Sequence, residues 1–361
     1  MKILHITATH LNQEGGIPAV LKNLVKYQNE ISGMCSRVLA IKKKTAHIDA
    51  MYFDYIAENN SIDKYISDYS PDIVIIHSVY FLKYYFIEKM LRKKNIPYFI
   101  EPHGSFGNAA QEKSQWKKRV VNNTILHSFI KRAGGYIFLN EEEKRDSVFK
   151  KNDDLIIPNG IEQVVKINRE AKLSESEKGE LFLYFIGRFD ITHKGIDILF
   201  DALEIIDKKR ENIHITFFGK GNMEEEEYLD NRIEKLHFID IKKFGPIYGK
   251  EKEQFLCKYD AMILTSRYEG FPMTVLEALS YGVPCLVTKG TNVGAMIQNE
   301  NLGYLLGDTP KEVAQGISNF KKEYMEQGQN YGVRIQHYMK ENYLWSKIAK
   351  ESYDMFCAFL K

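Results

Sequence analysis

At 361 residues the chain is too long for one ordinary domain and comfortable for two, each able to bury its own core. Its 44% hydrophobic and 27% charged residues are those of a soluble globular protein, and four scattered cysteines (Cys35, Cys257, Cys285, Cys357) without a CxxC pair exclude a disulfide framework and point to a reduced, cytoplasmic chain. Net charge is +2: residues 1–165 carry 23 Lys+Arg against 18 Asp+Glu and the remainder 27 against 30, with no dense basic stripe, so nucleic acid is not an expected partner.

The opening "MKILHITATH" reads as a strand and not as a signal peptide, and no apolar run approaches the roughly 18 residues that span a bilayer. A chain neither secreted by a classical signal nor integral to a membrane is expected. After the strand "KILHITAT" comes a helix from about Pro18, then strands "SRVLAIK", "DIVIIHSV", "IPYFIEPHG", "GGYIFLN" and "DDLIIPNGIE" between helical patterns. This alternation predicts βαβ units and a parallel sheet. Residues 163–180 are polar and charged, as a linker is. Alternation restarts with "ELFLYFIGRFD", "IHITFFGKG", "KLHFIDI", "DAMILTSR", "VPCLVT" and "GYLLG". The expectation is an α/β protein of two doubly wound, Rossmann-like domains, 1–162 and 181–342. The helical pattern of 343–361 is expected to pack back on the first. Ligands of such sheets bind beyond the carboxyl ends of the strands, which makes the cleft between the halves the expected site.

The stretch "YEGFPMTVLEALSYG" sets Glu269 on a loop and Glu277 inside the following helix. Gly270 offers backbone freedom, and Pro272 suits a first helical turn. The N–H groups of Met273, Thr274 and Val275 would then open the helix and favour an anion. Glu277, just over one turn further in, could accept both hydroxyls of a ribose whose phosphates sit at the helix start. Thr274-x-x-Glu277 fits a capping box equally well, and Glu269 could simply be solvated. In "GRFDITHKGID", Gly187 lets the chain turn at a strand end, and Arg188 and Lys194 could converge on one diphosphate, or be surface charges. Gly15 and Gly16 could let backbone approach a phosphate, though a plain loop would look the same. His103, beside Gly104 at the end of a buried strand, is a candidate catalytic or structural histidine.

Taken together, "GGIP" (15–18), "PHGSF" (102–106), "IPNGIE" (157–162), "GRFDITHKGID" (187–197), "FGKGN" (218–222) and "EGFPMTVLEAL" (269–279) resemble the retaining glycosyltransferases of family 4, which have the GT-B fold. The resemblance implies that Gly16 approaches the donor diphosphate and that His103 lies beside the donor sugar, its carbonyl facing the reacting carbon. Arg188 and Lys194 would neutralise the diphosphate, Glu269 face the sugar and Glu277 bind the ribose. Backbone from Phe271 to Val275, with Gly219, would meet sugar and phosphates. Asn222 stands where many members have Pro, which leaves the base open, UDP ahead of GDP.

The implied reaction retains anomeric configuration by front-face attack on a nucleotide sugar, with no covalent nucleophile. No cofactor and no metal are expected: the sequence holds no suitable DxD pair and no clustered His or Cys ligands, and "NDD" at 152–154 reads as solvated. Two other classes stay open, a different enzyme on the same architecture (a nucleotide-sugar epimerase or a phosphorylase) and a non-catalytic nucleotide-sugar-binding subunit.

For the acceptor, "NAAQEKSQWKKRVVNNTILHSFIKR" combines Lys113, Trp116, Lys117, Lys118 and Arg119 with Ile125, Phe129, Lys131 and Arg132. Its apolar residues are expected to pack on the sheet, and its basic residues to meet an anionic membrane surface at roughly 1 kcal/mol each. A glycan or lipid-linked saccharide acceptor at the inner face of the cell membrane, in surface polysaccharide synthesis, follows from the resemblance.

Overall fold

The computed structural model describes residues 1–8, 16–41, 51–56, 58–112, 115–164 and 179–361. The chain divides into two compact units, Met1–Glu162 with Tyr343–Lys361, and Gln163–Asn342. Most of the expected linker, 165–178, lies outside the described residues.

The first unit is built on a parallel sheet of seven strands: β1 (Lys2–Thr7), β2 (Cys35–Ala40), β3 (Phe53–Tyr55), β4 (Ile73–His77), β5 (Tyr98–Glu101), β6 (Gly135–Phe138) and β7 (Leu155–Ile156). Their spatial order is β3-β2-β1-β4-β5-β6-β7, so the winding reverses between β1 and β4. Side chains alternate across the sheet. Leu4, Ile6, Val74, Ile76 and Ile100 share a core with Ile62 and Ile66 of α2 (Asn59–Tyr69), Tyr84, Ile87 and Leu91 of α3 (Lys83–Lys93), and Phe129 and Ile130 of α6 (His127–Arg132). The short helices α4 (Asn108–Glu112) and α5 (Gln115–Asn123) precede α6, and α7 (Glu141–Asp146) follows β6.

The opposite face carries His5, His77, Phe99 and Glu101. Helix α1 (Gly16–Asn29) meets it through Gln28, which bonds His5. It begins two residues ahead of the expected Pro18, which sits in its first turn, where a missing N–H is tolerated.

The second unit repeats the winding with six parallel strands: β8 (Leu181–Arg188), β9 (Ile213–Lys220), β10 (Asp240–Phe244), β11 (Ala261–Leu264), β12 (Cys285–Thr288) and β13 (Gly303–Leu306), ordered β10-β9-β8-β11-β12-β13. Its helices are α8 (Ile196–Lys209), α9 (Met223–Ile233), α10 (Gly249–Leu256), α11 (Met273–Ser280), α12 (Gly294–Asn299) and α13 (Pro310–Asn342). The run "KLHFIDI" enters its strand later than its apolar pattern suggests. The N–H groups of His237, Phe238 and Ile239 donate to Asp207 Oδ1 at 3.1, 2.6 and 2.9 Å, which holds this part of the run as a turn before β10.

The last helix, α14 (Trp345–Phe359), belongs to the first unit. Phe356 and Phe359 pack on Phe99 of β5 with ring centroids 6.0 and 4.7 Å apart. Ile161 and the chain entering α14 exchange backbone bonds, to Tyr343 O at 2.7 Å and from Trp345 N–H at 3.0 Å. Trp345 is buried beside them.

Candidate functional site

In the second unit the strand order reverses between β8 and β11, and the loops after those two strands carry the candidate donor residues. They are fitted together closely. Gly195 has φ +61°, and a Cβ there would lie 2.0 Å from the Thr265 carbonyl oxygen, so only glycine lets the first loop reach the end of β11. Thr265 Oγ1 donates to the Gly195 carbonyl at 2.9 Å. Arg267 closes the junction with a two-point ion pair to Asp197, 2.7 Å at each oxygen, and a bond to the Thr192 carbonyl.

This junction sets Lys194 against Glu269. Lys194 Nζ donates to Glu269 Oε1 at 2.6 Å, Ser266 Oγ donates to the same oxygen at 2.7 Å, and both charged side chains are largely shielded. His193 stacks on Tyr268 at 4.3 Å and donates from Nε2 to its carbonyl at 2.8 Å. Burial lowers its pKa, so the ring is neutral at pH 7. Arg188 pairs with Lys220 at the end of β8, and its exposed side chain has no hydrogen-bond or ion-pair partner among the described residues.

Three sequence readings need correction here. The N-cap of α11 is Pro272, with no side-chain cap, and Thr274 lies inside the helix, so the capping-box alternative for Glu277 is excluded. Glu277 instead pairs with Lys252 of α10. The Val275 N–H is spent on the Pro272 carbonyl at 3.0 Å, which leaves Met273 and Thr274 to open the helix. Gly270 does not take a positive φ. Phe271 and Pro272 are buried beneath this turn.

Two further glycines divide. At Gly219 a Cβ would lie 1.9 Å from the Gly187 carbonyl oxygen, so this glycine is required by the close approach of β8 and β9. At Gly187 a Cβ would rest 3.7 Å from Lys194 Cε, which passes over it. Asn222 is the N-cap of α9 and forms a true capping box with Glu225. Gly16 opens α1, and Gly15 lies outside the described residues.

In the first unit His103 follows β5 in a left-handed conformation, φ +49°, and Gly104 continues it at +78°. Behind it the sheet assembles what the linear sequence does not show. The register pairs His77 with Glu101, and His77, Glu101 and His103 form a group close enough to hold a metal ion. The sequence holds no such cluster among neighbours; β4 and β5 bring these three side chains together in space. In the structure these residues bond one another. His103 Nε2 lies 3.0 Å from His77 Nδ1, His77 Nε2 lies 2.9 Å from His5 Nδ1, and His5 Nε2 lies 3.0 Å from Gln28 Oε1. Glu101 contacts His77 Nδ1 at 3.3 Å and His103 Nδ1 at 3.5 Å.

Burial sets the protonation here. It lowers His5 and His103 to about 4, drives His77 well below its ordinary value, and raises Glu101 to about 8, with Glu143 adding to the last. The rings are therefore neutral and the Glu101 carboxyl protonated at pH 7. Glu143, raised by burial to about 7, accepts from Gly104 N–H at 2.6 Å and Leu139 N–H at 2.7 Å.

The basic stretch splits. Phe129 is core, while Trp116, Val120 and Ile125 of the same stretch are exposed, Trp116 at 69%. Arg119 is exposed. Lys118 is turned inward, bonding the Ala110 carbonyl and lying 5.4 Å over the Tyr80 ring, which removes it from the set that could meet a membrane. The side chains of Lys113 and Lys117 are outside the described set. Among the described residues no helix is long and apolar enough to cross a membrane.

Residues 166–338 match the family Glycosyl transferases group 1, and the chain carries a domain of that family there. A lipopolysaccharide 1,6-galactosyltransferase of Escherichia coli (strain K12) is 26% identical over 63% of this chain and 58% of its own length. An uncharacterized 41.2 kDa protein in the cps region of Klebsiella pneumoniae is 24% identical over 85% of this chain and 86% of its own. Among solved structures, Anabaena Alr3699/HepE in complex with UDP superposes with TM-score 0.77 at 16% identity, over 99% of this chain and 100% of that one. The apo form of WaaB, a lipopolysaccharide outer core galactosyltransferase, gives 0.70 at 18%, covering 99% of each chain. The fold is GT-B, two doubly wound α/β units, as expected from the sequence.

Proposed function

We propose that the protein is a retaining, metal-independent glycosyltransferase of family 4, moving a sugar from a nucleoside diphosphate sugar to a glycan or lipid-linked saccharide. The observation that carries this reading is the convergence of Lys194, Glu269 and the opened start of α11 at the strand-order reversal of the second unit. Cations and free N–H groups there suit a diphosphate leaving group, which a divalent ion would otherwise neutralise. Glu277 takes the ribose and Glu269 the sugar. His103 is the candidate catalytic residue of the first unit. The bond from the anomeric carbon to the diphosphate oxygen breaks, the acceptor oxygen bonds to that carbon, and the leaving phosphate takes the acceptor's proton.

A UDP-sugar is placed ahead of a GDP-sugar because a fold neighbour was crystallised with UDP. A role in surface polysaccharide assembly is supported by the cps and lipopolysaccharide contexts of the two curated relatives, and its site at the inner face of the membrane is part of the proposal. The test is a panel of UDP- and GDP-sugars turned over in excess EDTA, with the product anomer read by NMR. Turnover that dies in EDTA and returns with magnesium, an inverted anomer, or conversion of the donor without an acceptor would each sink part of the reading.

A further inference from the structure

The rings of His5, His77 and His103 form a single file, and hydrogen-bond bookkeeping makes that file directional. Gln28 presents its amide oxygen, an acceptor only, to His5 Nε2 at 3.0 Å. His5 Nε2 must therefore carry the proton, which leaves Nδ1 of that neutral ring as an acceptor. His77 must then donate from Nε2 across 2.9 Å, and His103 must donate from Nε2 to His77 Nδ1 across 3.0 Å. At the far end Glu101 lies 3.5 Å from His103 Nδ1, the ring nitrogen that this order leaves with a free lone pair.

The file ends on strained backbone. His103 and Gly104 are both left-handed, and for a residue with a Cβ that conformation persists only where its surroundings enforce it. Two buried groups do so, His77 holding the ring of His103 and Glu143 holding the N–H of Gly104. Tyr84 locks the strand end beneath, donating to the His77 carbonyl at 2.6 Å and accepting from Ala8 N–H at 3.0 Å.

We propose that Gln28, His5 and His77 are positioning residues: a one-way relay, anchored at the Gln28 amide oxygen, that holds His103 as its Nε2–H tautomer and so fixes the left-handed turn. Its effect on turnover rests on the glycosyltransferase reading above; the tautomer itself does not.

The test is nitrogen NMR of the full-length chain labelled at histidine, with His5→Gln, His77→Gln and His103→Gln used to assign the three rings. All three are expected as Nε2–H tautomers at pH 7. A proton on Nδ1 of any of them overturns the relay. Gln28→Met removes the anchor at similar volume and should turn His103 into a tautomer mixture, with kcat down about tenfold, near the upper range for one hydrogen bond, and KM within about twofold. Unchanged ring signals in a folded Gln28→Met also overturn it. If that variant fails to fold, the parent spectrum decides alone. Correct tautomers with no transfer from any donor would leave the relay standing and remove the proposed function.

Discussion

Lys194 Nζ lies 2.6 Å from Glu269 Oε1, although 75 residues separate them in the chain. The cation expected on the diphosphate is thus neutralised, before any donor arrives, by the carboxylate expected to face the sugar. Donor binding has to share or replace this contact. Glu269→Gln is therefore expected to leave UDP affinity unchanged or slightly improved while kcat falls, because the lost interaction grows in the transition state. Calorimetry with UDP beside steady-state rates checks this; a large loss of UDP affinity would refute the division of roles.

Lys194→Met leaves a shielded Glu269 without its cation. Removing one partner of a buried pair costs about 3–5 kcal/mol, an upper bound here because Ser266 still donates to the carboxylate. Thermal unfolding should drop by several degrees, and UDP affinity about tenfold or more. Wild-type stability in this variant would mean that the pair is only a surface contact.

Glu277 pairs with Lys252, a residue the motifs do not contain. Glu277→Gln should weaken UDP and UDP-sugar alike, by about ten- to a hundredfold, for loss of a charge-assisted bond worth about 1.5–3 kcal/mol. Lys252→Met keeps the carboxylate but frees its orientation, so a smaller loss of the same kind is expected. UDP binding unchanged in Glu277→Gln, read by calorimetry, would end the ribose assignment.

Peripheral membrane binding narrows to fewer side chains than the basic run suggests. With Lys118 turned inward, Trp116 and Arg119 remain exposed on α5. Anionic vesicles should sediment the parent at low salt and release it as the Debye length shortens to about 10 Å at 0.1 M. The pair Trp116→Ala and Arg119→Glu should abolish sedimentation, while Lys118→Glu should mainly destabilise the Ala110 contact. Sedimentation that is equal in parent and double variant removes the membrane reading.

The first unit should be most stable near about pH 6.5. The folded pKa values of His5 and His103, about 4, and of His77, also lowered, lie below the ordinary 6.5. Their contribution is complete above 6.5 and lost as pH falls toward 4. Glu101 and Glu143 run the opposite way, about 8 and 7 against 4.5, so their contribution is complete below 4.5 and lost as pH rises through 7 to 8. Between 4.5 and 6.5 three rising contributions oppose two falling ones, and above 6.5 only the falling pair remains. Hydrogen exchange of the β1 and β4 amides across pH checks this; protection that climbs steadily past pH 8 would contradict it.

Much of the molecule is legible in the chain by itself. Strand runs such as "DIVIIHSV" and "DAMILTSR" alternate with helical patterns because a doubly covered parallel sheet demands continuous apolar strands, and that alternation determines two doubly wound units. The loops bearing Lys194 and Glu269 are also readable, since glycine and proline at strand ends act locally. What a carboxylate or a ring touches is not a local property. Glu277 looks like a cap until the helix start is known to be Pro272, and its partner Lys252 comes from another helix. His5, His77, Glu101 and Gln28 are four unremarkable residues on three strands and a helix. Parallel register brings the strand residues onto one face, the packing of α1 adds Gln28, and burial makes the rings neutral and the acid protonated, because a low-dielectric interior penalises whichever form is charged. Pairing across strands and desolvation depend on residues far apart in sequence, so only the tertiary structure decides them.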